Sequence, residues 1–187
     1  MTLFQLLVLS SLQVAGASVP PPAQTGMICV LDQLAPQERR ELGDRLLASE
    51  PMADKDEAHL DRINGNCTGQ LGLTEPEKGD ALLGVLSSLI VERSGAALAA
   101  VGIPPEVIDA WFDGQSADLR SDLERPVSDT ETDARIDSLL ATMEKNGVST
   151  ETTRQQAHLV VLYLRSRSLL YRLEHGLSLG EHLPPPR

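Results

Sequence analysis

Residues 74–102 read TEPEKGDALLGVLSSLIVERSGAALAAVG, and this stretch decides the fold class. Thr74 and Glu77 have the spacing of a capping box, in which each side chain satisfies a backbone amide at the start of a helix. An apolar stripe with helical periodicity follows, formed by Leu82, Val85, Leu86, Leu89 and Ile90. The stretch therefore predicts one long helix, ended by Gly102 and the two prolines that follow it.

Small side chains along the same helix would let a neighbouring helix approach closely. They are Gly84, Ser87, Ser88, Gly95, Ala96 and Ala99. Aromatic residues make up only 3% of the chain, so the core must consist of Leu, Val, Ile and Ala. Both features favour closely packed helices over a sheet.

The rest of the chain carries further helical signals and no convincing pair of strands. Proline, Asp or Ser residues begin these predicted helices, at Pro36, Asp54, Pro105, Ser128 and Ser149. Turn residues end or interrupt them, at Ser49, Gly65, Gly114, Gly147 and Gly176. The sequence thus predicts an all-α protein, a compact bundle of five or six helices.

The last predicted helix is expected to lie at the centre of the bundle, because residues 157–164 (AHLVVLYL) are apolar nearly all round. Arg167 should be partly buried against a carboxylate. Polar residues of this helix form one stripe, which includes Arg154, His158, Arg165 and Arg172. The stripe could dock on acidic helices of the same chain, such as residues 128–137, or it could bind an anion or an acidic partner.

The N-terminal segment resembles a secretory signal in its pattern. Residues 3–14 are almost continuously apolar, which is too short for a membrane-spanning helix of roughly 20 residues. Ala-Gly-Ala at 15–17 fits signal peptidase, although no Lys or Arg precedes the apolar run. We therefore expect a signal peptide at 1–17; the alternative is a first helix packed on the core.

The domain boundaries follow from that expectation. Residues 18–28 are predicted to be a Pro-rich flexible segment, because Pro20, Pro21 and Pro22 prevent a helix from continuing. Residues 29–179 should form a single α-helical domain, and residues 180–187 a disordered Pro-rich tail. The protein would then be periplasmic or secreted, and the excess of Arg over Lys favours a bacterial origin.

Cys29 and Cys67 are the only cysteines, and in an oxidising compartment two cysteines usually pair. The predicted helices at 36–48 and 54–64 have similar lengths, so a hairpin would bring its outer ends together beside the cysteines. A disulfide stapling this N-terminal helical hairpin is expected. Two separately buried thiols are the alternative, since Cys-x-x-Cys spacing is missing and zinc would need four ligands.

The formal net charge of −11 excludes some classes of partner. Residues 1–147 carry −13 and residues 148–187 carry +2. Binding to nucleic acid or to anionic lipid relies on Lys and Arg, so neither is expected. No stable membrane insertion is expected once the signal peptide is removed, and the oligomeric state stays open.

Signals for chemistry are weak. Asp56 and His59 share a helix face, but they match neither a calcium loop nor a zinc motif, and a solvated face explains them better. The pair Trp111 and Phe112 fits a core position better than an exposed recognition edge. No nucleophile motif or phosphate loop is present in the sequence, so no cofactor is expected and an enzyme is the less favoured class.

Two functions remain after these exclusions. The favoured function is a non-enzymatic interaction module or envelope accessory protein that binds another envelope protein. The alternative is a helical periplasmic enzyme, or a binder of a small ligand or anion, that uses His158 and Arg165. The first predicts an exposed apolar or charged groove, whereas the second predicts that those two side chains converge in a pocket.

Overall fold

The computed structural model describes residues 19–121, 123 and 129–179, and regular structure in these residues is entirely helical. The predicted signal peptide at 1–17 and tail at 180–187 lie outside the described residues. The all-α prediction is confirmed, with more and shorter helices than the five or six expected. In chain order the described helices are α1 (Pro22–Gln33), α2 (Pro36–Leu47), α3 (Asp54–Gln70), α4 (Glu75–Ala100), α5 (Pro105–Asp113), α6 (Ala117–Ser121), α7 (Asp129–Lys145), α8 (Thr150–Gln155) and α9 (Ala157–Glu174).

Helix α4 is the axis of the fold. Its predicted capping box is present: the Thr74 backbone N–H donates to Glu77 Oε2 at 2.8 Å, and this bond holds the pKa of the Glu77 carboxyl below its usual range. The helix packs against α1, α2, α3 and α5, and most extensively against α9. A Cβ added at Gly84 would lie 2.6 Å from Leu173 Cδ2 and 3.0 Å from Met27 Sδ. The glycine therefore lets α1 and α9 approach α4 closely.

Among the described helices, α4 is also the one long and apolar enough to cross a membrane, with a mean hydropathy of 1.4 over its best 18-residue window. The core helix of a soluble protein can have the same length and composition. In this fold, 44% of that window is buried inside the protein, and neighbouring helices surround it. Packing against its neighbours therefore accounts for a large part of the apolar character of α4.

Helix α1 corrects the prediction that residues 18–28 are flexible. Pro22 does not interrupt a helix but begins one, at a position where its missing N–H is not needed. The Thr25 N–H donates to Pro21 O at 3.0 Å, and Ala23, Gly26 and Val30 are buried. Burial against α4 therefore fixes a segment whose composition suggested a linker.

The predicted disulfide between Cys29 and Cys67 is confirmed, with the two Cα atoms 5.9 Å apart. Its position in the fold differs from the expectation, because α3 does not end at Gly65 but continues to Gln70. Both cysteines lie within helices, so the disulfide joins α1 to α3 and not the outer ends of a hairpin. Burial of Ile63, Cys67 and Thr68 on one side of α3 outweighs the cost of about 1 kcal/mol for a glycine within a helix.

The C-terminal part of the chain contains two further breaks. The expected break near Gly114 separates α5 from α6. The predicted final helix from Ser149 is divided into α8 and α9 at Gln156, which has a φ of −101° and a ψ of 19°.

Each half of α4 packs into a separate hydrophobic core. The first contains Val30, Leu34, Leu42, Leu60, Ile63, Cys67, Val85 and Leu89, and the second includes Leu98, Ile103, Ile108, Trp111, Phe112, Met143, Val160 and Tyr163.

After α9 the chain turns at Gly176, which has a φ of 67°, and residues 177–179 form what we call the C-terminal strap. Leu179 is 3% exposed, and its N–H donates to Asp80 Oδ1 at 3.1 Å. Arg172 Nη2 donates to Ser178 O. Asp80 and Arg172 are 8% and 7% exposed, so two buried charged side chains hold the main chain of the strap.

Candidate functional site

The four polar residues of the α8–α9 stripe do not come together. Arg154 and His158 are exposed, and the break at Gln156 lies between them. Arg165 is exposed beside α7, whereas Arg172 is buried and bonds the C-terminal strap. The four residues of the predicted stripe therefore lie in different environments.

The expectation for Arg167 is confirmed. Its Nε donates to Asp109 Oδ1 at 3.0 Å, and Tyr163 Oη donates to Asp109 Oδ2 at 2.9 Å. The Arg167 guanidinium also lies 5.6 Å from the ring centroid of Phe112. These contacts join α5 to α9. Phe112 and Trp111 lie in the core, as favoured from the sequence.

Burial, followed by the negative charge of Asp109, raises the pKa of the Tyr163 hydroxyl well above its usual value. The folded protein therefore keeps this proton at pH values where the unfolded chain loses it. The stabilising contribution is complete below about pH 10 and is lost as the pH rises from there towards the raised pKa.

We expect Tyr163→Phe to lower the free energy of unfolding by about 1.5 kcal/mol at pH 8, because the bond to a carboxylate is lost. Above about pH 10 the difference between the wild type and this variant should shrink, since only the wild-type chain has a tyrosine at this position to ionise on unfolding. Urea unfolding at pH 8 to 11 measures this difference. A difference that stays constant across the range would contradict the prediction.

Asp56 and His59 take part in contacts between α2 and α3. Asp56 Oδ2 lies 2.5 Å from Arg45 Nη1, and His59 Nε2 lies 3.6 Å from Glu38 Oε1. The cavity between these side chains has a volume of about 30 Å³, room for about one water molecule. Within the described ranges, no group of three or more His, Cys, Asp or Glu side chains could hold a metal ion.

A groove of about 420 Å³ lies between α7 and α9, and we call it the α7/α9 groove. Its lining residues are Trp111, Leu123, Thr132, Arg135, Ile136, Leu139, Val160, Val161, Leu164 and Arg165. Trp111, Leu139, Val160 and Leu164 are buried and form the floor. Ile136 and Val161 are 49% and 47% exposed, so apolar walls stand on both sides of an apolar floor.

The walls of the groove arise from helical periodicity. Thr132, Arg135, Ile136 and Leu139 are spaced i, i+3, i+4 and i+7 along α7. Residues 160, 161, 164 and 165 of α9 are spaced i, i+1, i+4 and i+5, so they also share one helix face. The principal packing partners of α7 are α5 and α8, and those of α9 include α4 and α6. Trp111 Nε1 donates to Ser138 Oγ at 3.2 Å, which ties the floor to α7.

Among the described residues that line the α7/α9 groove, the charged side chains are those of Arg135 and Arg165. Arg135 Nη2 also lies 2.6 Å from Glu131 Oε1, one turn earlier on α7. Arg165 likewise has an electrostatic or hydrogen-bonding contact. Both guanidinium groups therefore already have contacts within the chain, and they lie on the two walls of an apolar groove.

Sequence reasoning missed this groove as a site, although two signals pointed to it. Ile136 is an apolar residue in the polar first half of α7, and Val161 belongs to a stretch that is apolar on nearly every side. Comparison with known proteins finds no matching family model, no matching curated protein and no matching solved structure.

Proposed function

We propose that this chain is an exported, disulfide-stabilised helical domain that binds another protein through the α7/α9 groove. The observation that carries the proposal is the pair of half-exposed walls, Ile136 and Val161, above a closed apolar floor. Exposed apolar surface of this kind marks interaction sites in soluble proteins.

Export is supported by two features of different kinds. The Cys29–Cys67 disulfide is typical of an oxidising, extracytoplasmic environment. The apolar segment at 3–14, followed by small residues at 15–17, fits a cleaved secretory signal. We therefore place the protein in the periplasm or outside the cell, with its partner in the same compartment.

A protein partner fits the groove better than a small substrate. Pockets for small molecules bury 70–90% of the ligand surface, whereas both walls of this groove stay open to solvent. Of the described residues that line the groove, none is a His, Cys or carboxylate that could act as a base or nucleophile. His158, which the alternative function needs beside Arg165, lies seven residues earlier on α9, about 10 Å along the helix axis.

Site-specific photocrosslinking in the native cell tests this proposal. A photoreactive residue at position 161 should yield a discrete adduct with a second protein, and the same residue at position 71 should not. Leu71 is a suitable control because it is similarly exposed, at 44%, but lies at the end of α3. The adduct should disappear when Ile136→Asp is added. Equal labelling at both positions, or no adduct at either, would refute a protein-binding groove.

A further inference from the structure

We infer that the α7/α9 groove receives an amphipathic helix of another protein, with an aliphatic stripe flanked by Asp and Glu residues. This inference rests on the proposed function and specifies the partner. It follows from two independent properties of the groove, namely the shape of its walls and the sign of its charge.

The shape indicates a helix. Each wall is one face of a helix, and each presents side chains at the i, i+3 and i+4 spacing that packs against another helix. Ile136 on α7 and Val161 on α9 are each about half exposed, so the described parts of the chain leave them partly uncovered. A third helix placed between the walls would complete a local bundle, as in helix-in-groove recognition.

The charge indicates acidic flanks. Arg135 and Arg165 stand on opposite walls, so carboxylates on both sides of a bound helix would each meet a guanidinium. Both arginines already have a contact within the chain, Arg135 with Glu131, which is not among the groove-lining residues. A planar guanidinium has five N–H donors, so each can bind a further carboxylate beside its existing contact. A second copy of this chain is disfavoured as the occupant, because two chains of charge −11 repel each other.

The binding of two synthetic peptides tests the inference. The probes are 18-residue helical peptides with Leu at the i, i+3, i+4 and i+7 positions and either Glu or Lys at the flanking positions. Trp111, the single tryptophan of the chain, lines the groove and reports binding by its fluorescence. The Glu peptide should bind about tenfold more tightly than the Lys peptide at low ionic strength, and salt should reduce this preference.

Comparing the Glu and Lys peptides is a strict test, because the net charge of the whole protein favours binding of the Lys peptide. A net charge of −11 attracts the Lys peptide to the surface in general, so a preference for Glu must come from the local arginines. The double variant Arg135→Gln with Arg165→Gln should weaken the Glu peptide about tenfold and remove the preference. Val161→Asp should weaken the Glu peptide by tenfold or more, while Leu71→Asp should leave its binding unchanged.

The outcomes separate this inference from the proposed function. Tighter binding of the Lys peptide, or no binding of the Glu peptide at about 1 mM, overturns the acidic helix. If the crosslink at position 161 still forms, the groove keeps its function with another kind of partner. A concentration-dependent dimer in sedimentation that Val161→Asp abolishes would identify a second copy as the occupant and overturn the inference. Circular dichroism of every variant checks that the fold is intact.

Discussion

Replacing both cysteines, Cys29→Ser with Cys67→Ser, should lower the free energy of unfolding by about 4 kcal/mol. The disulfide ties α1 to α3 across a sequence separation of 38 residues, and its loss restores that freedom to the unfolded chain. Cys67 is fully buried, so a serine hydroxyl there adds a cost for burying a polar group. Urea unfolding of the wild type and the double variant measures the difference.

The wild type reduced with dithiothreitol is the matched control, since it loses the bond without a change of side chain. It should unfold at a similar urea concentration to the variant, and hydrogen exchange should rise first in α1 and α3. If the free energy of unfolding fell by less than about 1 kcal/mol in both the double variant and the reduced wild type, packing on α4 would be sufficient to hold α1 in place. Thiols blocked in the native cell before and after reduction would report whether the bond forms there.

Removing the C-terminal strap should have an effect of similar size. We expect truncation after Gly176 to lower the free energy of unfolding by at least about 3 kcal/mol. The Leu179 side chain, 3% exposed, would no longer be buried, a loss of about 1.5–3 kcal/mol. Asp80 and Arg172 would also lose the Leu179 N–H and the Ser178 carbonyl, and hydrogen bonds to charged groups contribute about 1.5–3 kcal/mol.

Truncation after Leu179 provides the matched control for the strap. It removes residues 180–187 and keeps every contact described above, so its unfolding should differ little from that of the full chain. Asp80→Leu should reproduce part of the loss, whereas Asp80→Asn keeps an acceptor for the Leu179 N–H and should cost less. Equal midpoints for both truncations in thermal unfolding would contradict a stabilising role for the strap.

The features that the sequence predicted correctly depend on nearby residues or on strong composition rules. The capping box of Thr74 and Glu77 is a local pattern, and the apolar stripe after it predicts α4 without knowledge of its neighbours. The contact of Arg167 with a carboxylate was predictable for a similar reason, because a cation beside apolar residues on a central helix needs a carboxylate partner. The pairing of Cys29 with Cys67 was also predicted correctly, although the hairpin geometry used to support it was not.

The features that the sequence did not predict depend on contacts between distant segments. Pro22 and Gly65 both suggested an interruption, yet tertiary burial makes them parts of α1 and α3. The strap exists because Asp80 and Leu179 meet, and they are far apart in the chain. The α7/α9 groove likewise depends on what the helices leave uncovered, which no periodicity within one helix can reveal.

The packing of α9 on α4 also determines how late in synthesis the fold can be completed. Leu173 of α9 lies against Gly84, so the most extensive packing partner of α4 is also the last of the described helices to be synthesised. At 5 to 20 residues per second, about 4 to 15 s separate the synthesis of Ala100 from that of Glu174. During that interval the growing chain has a long apolar helix without its main neighbour. A chain in this state remains accessible to chaperones and can cross a membrane channel while still unfolded. This is compatible with the export proposed here.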